Sequence, residues 1–404
     1  MIRNKPELIS PAGDWPSLAS ALESGADSVY FGVKTFNLRA SAENFELLEL
    51  KKVMSLVRER ARKGYLALNV LVYDREIAKI DRVLNNARDN GVDAIICWDM
   101  AILKKAMDKG LNVHLSTQAN VSNFETVKFY AGIGVKRIVI ARECTLDDIK
   151  AITDSIKKEN VEIEIEAFVH GALCVSVSGR CFMSQHTFQK SAMRGECLQP
   201  CRREYVIKSV DGSSEYILGK DYILSPKDLC SIGFIDRLIG AGITAFKIEG
   251  RIRPPEYVRE VTSVYREGID AYFNGAYDDQ LKTALYDRLK KVYNRGLSDG
   301  FYLGGPDEWA SGKLESEYEK SFLGEIVNFY GDLSVGEIIL RGGDLNKGAE
   351  LLVIGKKTPA GIFKAEEIQV EHKSVEHVPR GSSAAVKFPF PARRNDRVYL
   401  WNKK

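Results

Sequence analysis

Short runs of apolar and β-branched residues recur along the first two thirds of the chain, and amphipathic segments separate most of them. Runs of this length, bounded by polar turns, predict buried β-strands. Eight are recognisable: ELIS near Glu7, SVYFGV near Val29, YLALNVLV near Leu68, AIICWD near Ile95, NVHLST near Val113, RIVIA near Ile138, EIEIEAFV near Ile165 and AFKIEG near Phe246. Two of the segments between them begin with residues suited to cap a helix, Asp14 and Thr145.

This alternation of strands and helices predicts a parallel sheet. Eight strand–helix units over about 275 residues predict an α/β fold, the (β/α)8 or TIM-like barrel. A doubly wound open sheet is the alternative, but no Gly-rich dinucleotide-binding motif follows the first strand. We therefore assign residues 1–275 to a barrel.

The connection between the seventh and eighth predicted strands is unusually long, running from His170 to Phe246. An unstructured connection of that length in a compact domain is usually functional. Loops that follow barrel strands lie at the C-terminal face, where such folds carry their active sites. We therefore predict a cysteine-rich functional insertion over residues 170–245.

The pattern changes after the barrel. Residues 276–320 predict a connector of helix and loop, and residues 321–404 contain short strands and turns with no helical pattern. Several short strands in a segment of this length predict a small antiparallel β-barrel domain.

The composition is that of an ordinary globular protein, and the formal net charge of +3 gives no overall signal for nucleic-acid binding. The N-terminal sequence MIRNKPELIS lacks the apolar segment of a secretory signal. No apolar run reaches the ~18 residues of a membrane span. We therefore expect a cytoplasmic protein without membrane contact, in which clustered cysteines are more often metal or redox ligands than disulfides.

Four of the seven cysteines fall within the insertion, in the pattern C-x6-C-x15-C-x3-C with glycines around them. They are Cys174, Cys181, Cys197 and Cys201. Four thiolates suit a [4Fe–4S] cluster or Zn²⁺, and the absence of paired CxxC knuckles favours the cluster. Unrelated buried cysteines are the third interpretation. Cys230 is an alternative fourth ligand.

Polar side chains stand at the ends of several predicted strands, where a barrel strand is normally apolar. We predict that they meet at the barrel mouth around a small anionic substrate. The candidate catalytic residues are Glu166, His170 and Glu249, and the candidate substrate-binding residues are Gln118, Asn120, Arg142, Lys247 and Arg251.

Structural roles are the alternatives: an ion pair between Lys247 and Glu249, and a hydrogen-bonded structural histidine at position 170. The sequence shows no Ser/His/Asp arrangement and no HExxH motif, so it gives no support of its own for hydrolysis.

The segment EAFVHGALCVSVSGRCFMS resembles the signature of the collagenase-like peptidase family U32, and GECLQPCRREY, SPKDLC and FKIEGRIRPPEYV support the resemblance. It extends over nearly the whole chain and includes the C-terminal β domain. Despite the family name, it implies iron–sulfur-dependent hydroxylation of RNA, or a role in quinone synthesis. It also implies that Cys174, Cys181 and Cys197 are cluster ligands, with either Cys201 or Cys230 as the fourth.

The leading hypothesis is therefore an iron–sulfur enzyme that makes 5-hydroxyuridine at the tRNA wobble position. The resemblance implies tRNA as a partner, a small carboxylate such as prephenate as oxygen donor, and a redox partner. The basic segment PARRNDR near Arg393 is expected to grip the RNA backbone, or else to be a solvated turn. Alternatives are a peptidase, a hydroxylation factor for rRNA or quinone precursors, and a non-catalytic scaffold with a structural cluster.

Overall fold

The computed structural model describes residues 5–218, 224–305 and 314–404. The first twelve strands are β1 (Glu7–Ala12), β2 (Ser28–Phe31), β3 (Lys63–Ala67), β4 (Ala94–Cys97), β5 (Val113–Leu115), β6 (Arg137–Val139), β7 (Glu164–Ala172), β8 (Tyr205–Lys208), β9 (Glu215–Leu218), β10 (Asp228–Cys230), β11 (Ala245–Ile248) and β12 (Leu297–Ser298). The later strands are β13 (Tyr318–Tyr330), β14 (Val335–Leu340), β15 (Leu345–Asn346), β16 (Glu350–Ile354), β17 (Gly361–Lys364), β18 (Ile368–Val370), β19 (Lys373–Ser374), β20 (His377–Val378), β21 (Ser383–Lys387) and β22 (Arg397–Lys403).

The α-helices of the described residues lie almost entirely between the barrel strands and directly after them. They are α1 (Trp15–Glu23), α2 (Leu50–Glu59), α3 (Ile77–Asp89), α4 (Met100–Asp108), α5 (Phe124–Gly132), α6 (Leu146–Lys158), α7 (Met183–Phe188), α8 (Ile235–Gly240), α9 (Pro255–Phe273) and α10 (Asp279–Lys291). In the described ranges, no helix combines the length and apolar character that a bilayer span requires.

Eight parallel strands, β1 to β7 and β11, form the closed barrel that the sequence predicted. Closure occurs at β11, which pairs in parallel with both β1 and β7, so that Ala245 lies beside Glu7 on one side and Glu166 on the other. The open-sheet alternative is therefore wrong. Strands such as β2 and β4 are buried along their whole length because helices cover one face and the barrel interior the other.

Side-chain caps fix where two of the surrounding helices begin, as predicted. The Asp14 carboxylate accepts a hydrogen bond from the Ser17 amide at 2.7 Å. Thr145 and Asp148 form a reciprocal capping box, in which each side chain accepts from the other residue's amide. Capped helix starts of this kind fix where the short loops at the C-terminal end of the barrel finish.

The insertion between β7 and β11 is structured, in contrast to the unstructured connection expected. It contains helix α7, a hairpin of β8 and β9, and strand β10, which pairs antiparallel with β7. Residues 219–223, which the predicted insertion includes, lie outside the described residues. The folded insertion starts at the C-terminal end of β7 and therefore borders the barrel mouth.

The C-terminal part is an all-β domain, as predicted. Its main sheet is an antiparallel half-barrel in the order β17-β16-β22-β13-β14-β21-β18-β19. A separate apolar core, which includes Leu323, Ile338 and Val398, lies on one face of this sheet. The domain contacts the barrel at helix α1, where the Ala360 amide donates to Ser20 Oγ at 3.0 Å.

Candidate active site at the barrel mouth

A cavity of about 170 Å³ opens at the C-terminal ends of the barrel strands. Its lining comes from loops that follow strands far apart in sequence, as a barrel mouth requires. The charged and amide side chains in this lining include Arg39, Gln118, Arg142, Lys247, Glu249 and Arg251.

Glu249 is held as a carboxylate at one wall of the cavity. Its Oε1 accepts from Arg39 Nε at 3.1 Å and from Arg39 Nη2 at 2.8 Å. Burial by itself raises the pKa of Glu249, but Arg39, Arg142 and Arg251 together lower it to about 2. Glu249 is therefore ionised at neutral pH, and its arginine partner Arg39 is a cavity residue that the sequence analysis did not find.

Lys247 and Glu166 form a second ion pair inside the barrel. Lys247 Nζ donates to Glu166 Oε1 at 2.6 Å, and both side chains are almost completely buried. Glu166 Oε2 lies 3.6 Å from Arg137 Nη1, and Arg137 also contacts Glu7 at 2.7 Å. Lys247 therefore does not form the alternative ion pair with Glu249, because Lys247 pairs with Glu166 and Glu249 pairs with Arg39.

Arg142 and Arg251 are two of the cavity cations that have no carboxylate partner among the described residues, and Arg202 and Arg253 are the others. Arg142 donates to the Ala172 carbonyl at 2.7 Å and its buried Nε has no hydrogen-bond partner in that part of the chain. Arg251 donates to Asn37 Oδ1 at 3.3 Å. Burial lowers the pKa of Arg251 to about 10, so the guanidinium is still charged at neutral pH. Both groups can bind an added anion.

The mouth is positively charged overall. Seven cationic side chains line it among the described residues, and three of them pair with carboxylates, as Arg39 with Glu249, Lys247 with Glu166 and Arg295 with Asp228. A small molecule with carboxylate groups would offset part of the remaining positive charge, and guanidinium groups suit carboxylates because they donate in a bidentate fork.

The two amide residues predicted for this site have different positions. Gln118 is buried in the lining, and its side chain accepts from Ser116 Oγ. Asn120 is exposed, has a left-handed backbone with φ of 53°, and lies outside the lining. A short 3-10 turn from Thr117 to Ala119 places Asn120 outside the cavity, and its expected role in substrate binding stays a prediction.

His170 does not reach the cavity, so the expected position at the barrel rim is wrong. Lys247 lies opposite Phe168, but the next residue, Ile248, lies opposite His170, so β7 has one extra residue at this point. Such a bulge shifts the alternation of side chains. The His170 ring instead packs against Tyr257 and Tyr265 of α9, at 5.8 and 5.6 Å between ring centroids.

The buried position of His170 predicts an acid-sensitive fold. Burial lowers the pKa of His170 to about 4, with nearby Asp228 opposing this and Arg253 adding to it. The unfolded chain therefore binds a proton that the folded chain does not, and the free energy of unfolding falls as pH drops below about 6.5. Replacing His170 by Phe should reduce this fall by about 1.4 kcal/mol per pH unit down to pH 4.5.

Urea unfolding of both proteins at several pH values between these limits measures the effect. Burial also lowers the pKa of His114, but this residue is present in both proteins and contributes equally to their pH dependence. Exposed His186 replaced by Phe is the matched control. An unchanged pH dependence in His170→Phe would show that this histidine binds its proton equally in the folded and unfolded chains, and would contradict the prediction.

Three of the four predicted ligand cysteines line the cavity: Cys174, Cys197 and Cys201. Cys181 is outside the lining but close enough that its charge, with those of the other two, adds to the effect of burial in raising the pKa of Cys201. Cys230 is buried in β10, opposite His170 and behind the barrel wall. The structure therefore groups Cys201, rather than Cys230, with the other three.

Backbone geometry around these cysteines suits thiolate ligands. The Ser176 amide donates to Cys174 Sγ and the Met183 amide to Cys181 Sγ, both at 3.4 Å. Amide hydrogen bonds of this kind stabilise sulfur that carries negative charge. Gly195, with φ of 87°, lies so close to the Asn37 carbonyl that a Cβ would be 2.3 Å from it. Only glycine lets the insertion approach the barrel so closely just before Cys197.

Arg202 links the two cysteine segments. Its Nη2 donates to the Leu173 carbonyl at 2.5 Å, and its Nη1 donates to Ser225 Oγ at 2.9 Å. Arg202, which follows Cys201, thus holds that segment against Leu173, the residue before Cys174.

Across the described residues, no three His, Cys, Asp or Glu side chains meet closely enough to hold one metal ion. The expectation that the four sulfurs converge within about 7 Å of one another, the span of one cluster, stays a prediction.

The basic segment near Arg393 adjoins the barrel beside the mouth. Arg393 donates to Thr358 Oγ1 at 3.0 Å and to the Lys357 carbonyl at 3.1 Å, so its guanidinium stabilises the turn. Neighbouring Lys356 lies 5.6 Å from the ring centroid of Trp15, which follows β1. The segment is therefore partly structural, and the turn that Arg393 stabilises lies next to Lys356 and Trp15.

Comparison with known proteins gives a consistent set of relatives. The profile of the peptidase family U32 matches residues 13–311. A protein of Porphyromonas gingivalis named collagenase is 39% identical over 410 residues, which cover 98% of each chain. An uncharacterized protease of Methanocaldococcus jannaschii is 41% identical over 401 residues, again 98% of each. The tRNA hydroxylation protein P1 of Bacillus subtilis is 34% identical over 340 residues, 82% of this chain and 79% of the relative.

Proposed function

Because the chain belongs to the peptidase family U32, we propose that it is an iron–sulfur-dependent RNA hydroxylase. The target that we propose is the tRNA wobble uridine, converted to 5-hydroxyuridine with a small carboxylate such as prephenate as oxygen donor. The observation that carries this proposal is the cavity itself, where unpaired arginines and three cysteines line one enclosed space. We propose RNA as the substrate because the Bacillus subtilis relative is named a tRNA hydroxylation protein.

The cationic side chains have separate tasks in this proposal. Arg142 and Arg251 bind the carboxylates of the donor, since both guanidinium groups lack a carboxylate partner among the described residues. Lys247, which is paired with Glu166, donates a further hydrogen bond towards the donor. Glu249, fixed as a carboxylate by Arg39, orients the bound molecule by accepting hydrogen bonds from its hydroxyl groups.

The residues at the mouth fit an iron–sulfur cluster on two grounds: three of the four thiols border the cavity, and backbone amides already point at two of the sulfurs. Cys174, Cys181, Cys197 and Cys201 would hold it. When bound, it would supply one-electron redox chemistry next to the donor, with a redox partner completing the electron transfer.

Nucleoside analysis of RNA from a strain that lacks this gene tests the proposal. Loss of 5-hydroxyuridine derivatives from tRNA, restored by the wild-type gene, is the expected result. Loss of a hydroxylated cytidine from rRNA instead would assign the related rRNA activity, and loss of quinone alone would assign the quinone branch. Unchanged tRNA, rRNA and quinone would overturn the proposal.

Replacing Arg251 by Ala should lower hydroxylation by about ten- to a hundredfold, because a charged hydrogen bond to the donor carboxylate is lost. Arg251→Lys should restore only part of the activity, since an ammonium cannot make the bidentate contact. Iron content should be unchanged in both proteins. Arg341→Ala, which removes an exposed arginine from the C-terminal domain, is the matched control. Full activity in Arg251→Ala would remove this residue from the donor site.

A peptidase is the second candidate because the relatives that match over 98% of their length are named as a collagenase and a protease. The cavity offers no paired nucleophile and histidine within the described residues, since His170 faces α9 instead. Cleavage of gelatin by the purified protein that is lost in a cavity variant such as Glu249→Gln would favour this candidate.

A further inference from the structure

Large apolar side chains are exposed on the mouth face, outside the cavity. Tyr73 follows β3 and is 42% exposed, and Met100 at the start of α4 is 51% exposed. Phe182 and Leu198, next to Cys181 and Cys197, are 72% and 49% exposed. Several exposed apolar side chains near one cavity are typical of a binding surface.

Tyr73 is held in a fixed orientation by two arginines. The guanidinium carbons of Arg75 and Arg194 lie 4.8 and 5.2 Å from its ring centroid. Arg194 is itself fixed, because it donates to both oxygens of Glu76 at 2.9 and 2.6 Å and to the Leu71 carbonyl at 2.5 Å. The ring is thus an exposed aromatic surface with two guanidinium groups over it, one of which is anchored.

This surface stands directly beside the opening of the cavity. The Leu71 amide bonds to the Met193 carbonyl at 3.0 Å, and the neighbours Ala192 and Gly195 belong to the cavity lining. A group stacked on Tyr73 would therefore lie next to whatever enters the cavity.

We infer that Tyr73 is the stacking platform for an unpaired nucleobase that flanks the base entering the cavity, an inference that rests on the proposed RNA substrate. Base–aromatic stacking needs an accessible ring face, and flanking guanidinium groups add attraction for bases and phosphates. A base must leave its stack to enter an enclosed site, so an unpaired loop fits this face and a continuous duplex does not. The arginines favour RNA over a purely apolar protein partner.

Binding of a labelled RNA hairpin with an unpaired loop, compared with the same stem as an uninterrupted duplex, tests this. The wild-type protein should prefer the hairpin, and Tyr73→Ala should weaken hairpin binding by about tenfold or more. Tyr73→Phe should bind as the wild type does, because it keeps the ring. Tyr330→Ala, which removes a tyrosine of similar exposure (47%) from the C-terminal domain, should also bind normally.

Unchanged hairpin binding by Tyr73→Ala would overturn the inference, as would an equal loss for hairpin and duplex. Absence of any hairpin preference in the wild type would point to a protein partner for this face and would also overturn it. Nucleoside analysis separates the two proposals. If the gene deletion leaves RNA hydroxylation intact while Tyr73 still governs loop binding, the proposed reaction fails and the platform stands.

Discussion

Replacing Cys201 by Ser should remove the bound iron and the visible absorbance of the purified protein, whereas Cys230→Ser should keep both. The reason is position: Cys201 lines the cavity with Cys174 and Cys197, while Cys230 is buried in β10 on the far side of the barrel wall. A [4Fe–4S] cluster needs four thiolate ligands, so loss of one leaves a poorly held cluster.

The chemistry of the two thiols supports the same expectation. Burial raises the pKa of Cys230 to about 12, which keeps it protonated and makes it a poor ligand. Burial also raises the pKa of Cys201, but this thiol is only partly buried, and the positive charge of the adjacent Arg202 opposes the rise.

Iron and sulfide analysis of anaerobically purified proteins measures the outcome, with circular dichroism to show that each variant is folded. Serine at Cys174, Cys181 or Cys197 should also remove iron, and serine at the buried Cys97 should not. Iron lost from Cys230→Ser but retained by Cys201→Ser would make Cys230 the fourth ligand. Zinc in place of iron in the wild type would reject the cluster.

The barrel could be predicted from the sequence because each strand is a short apolar run and each helix an amphipathic one. All eight predicted strands are present, since local pattern and final burial agree in a barrel whose strands are covered on both faces. The C-terminal domain was predicted for the same reason, through its alternating strands and turns. The order in which the strands of that domain pair could not be predicted, because no local sequence pattern encodes it.

The pairings at the site could not be predicted, because they depend on register between strands distant in sequence. Lys247 and Glu249 share a strand end, yet Lys247 contacts Glu166 and Glu249 contacts Arg39. Arg39 lies in an irregular loop after β2, where no periodic pattern singles out a residue.

The misplacement of His170 has a similar cause. Regular alternation along β7 would put Glu166, Phe168 and His170 on the same face. The extra residue at Val169 breaks that alternation, and a bulge of this kind depends on how β7 pairs with β11.

Replacing Glu166 by Leu should destabilise the fold by roughly 3–5 kcal/mol, because it leaves Lys247 buried without its counter-charge. The lysine is 3% exposed and donates to Glu166 at 2.6 Å, so the substitution removes the counter-charge that offsets its burial. Arg137 is less affected, since it still contacts Glu7 at 2.7 Å. The free energy of unfolding in urea at pH 7 is the measurement.

A double variant separates stability from function at the same pair. Adding Lys247→Met to Glu166→Leu removes both charges, and apolar replacements of a buried pair are often neutral or stabilising, so most of the lost stability should return. Hydroxylation should not return, because the proposed reaction needs the Lys247 ammonium at the cavity. A stable double variant with full hydroxylation would show that this pair only holds the barrel together, and that Arg142 and Arg251 bind the donor without it.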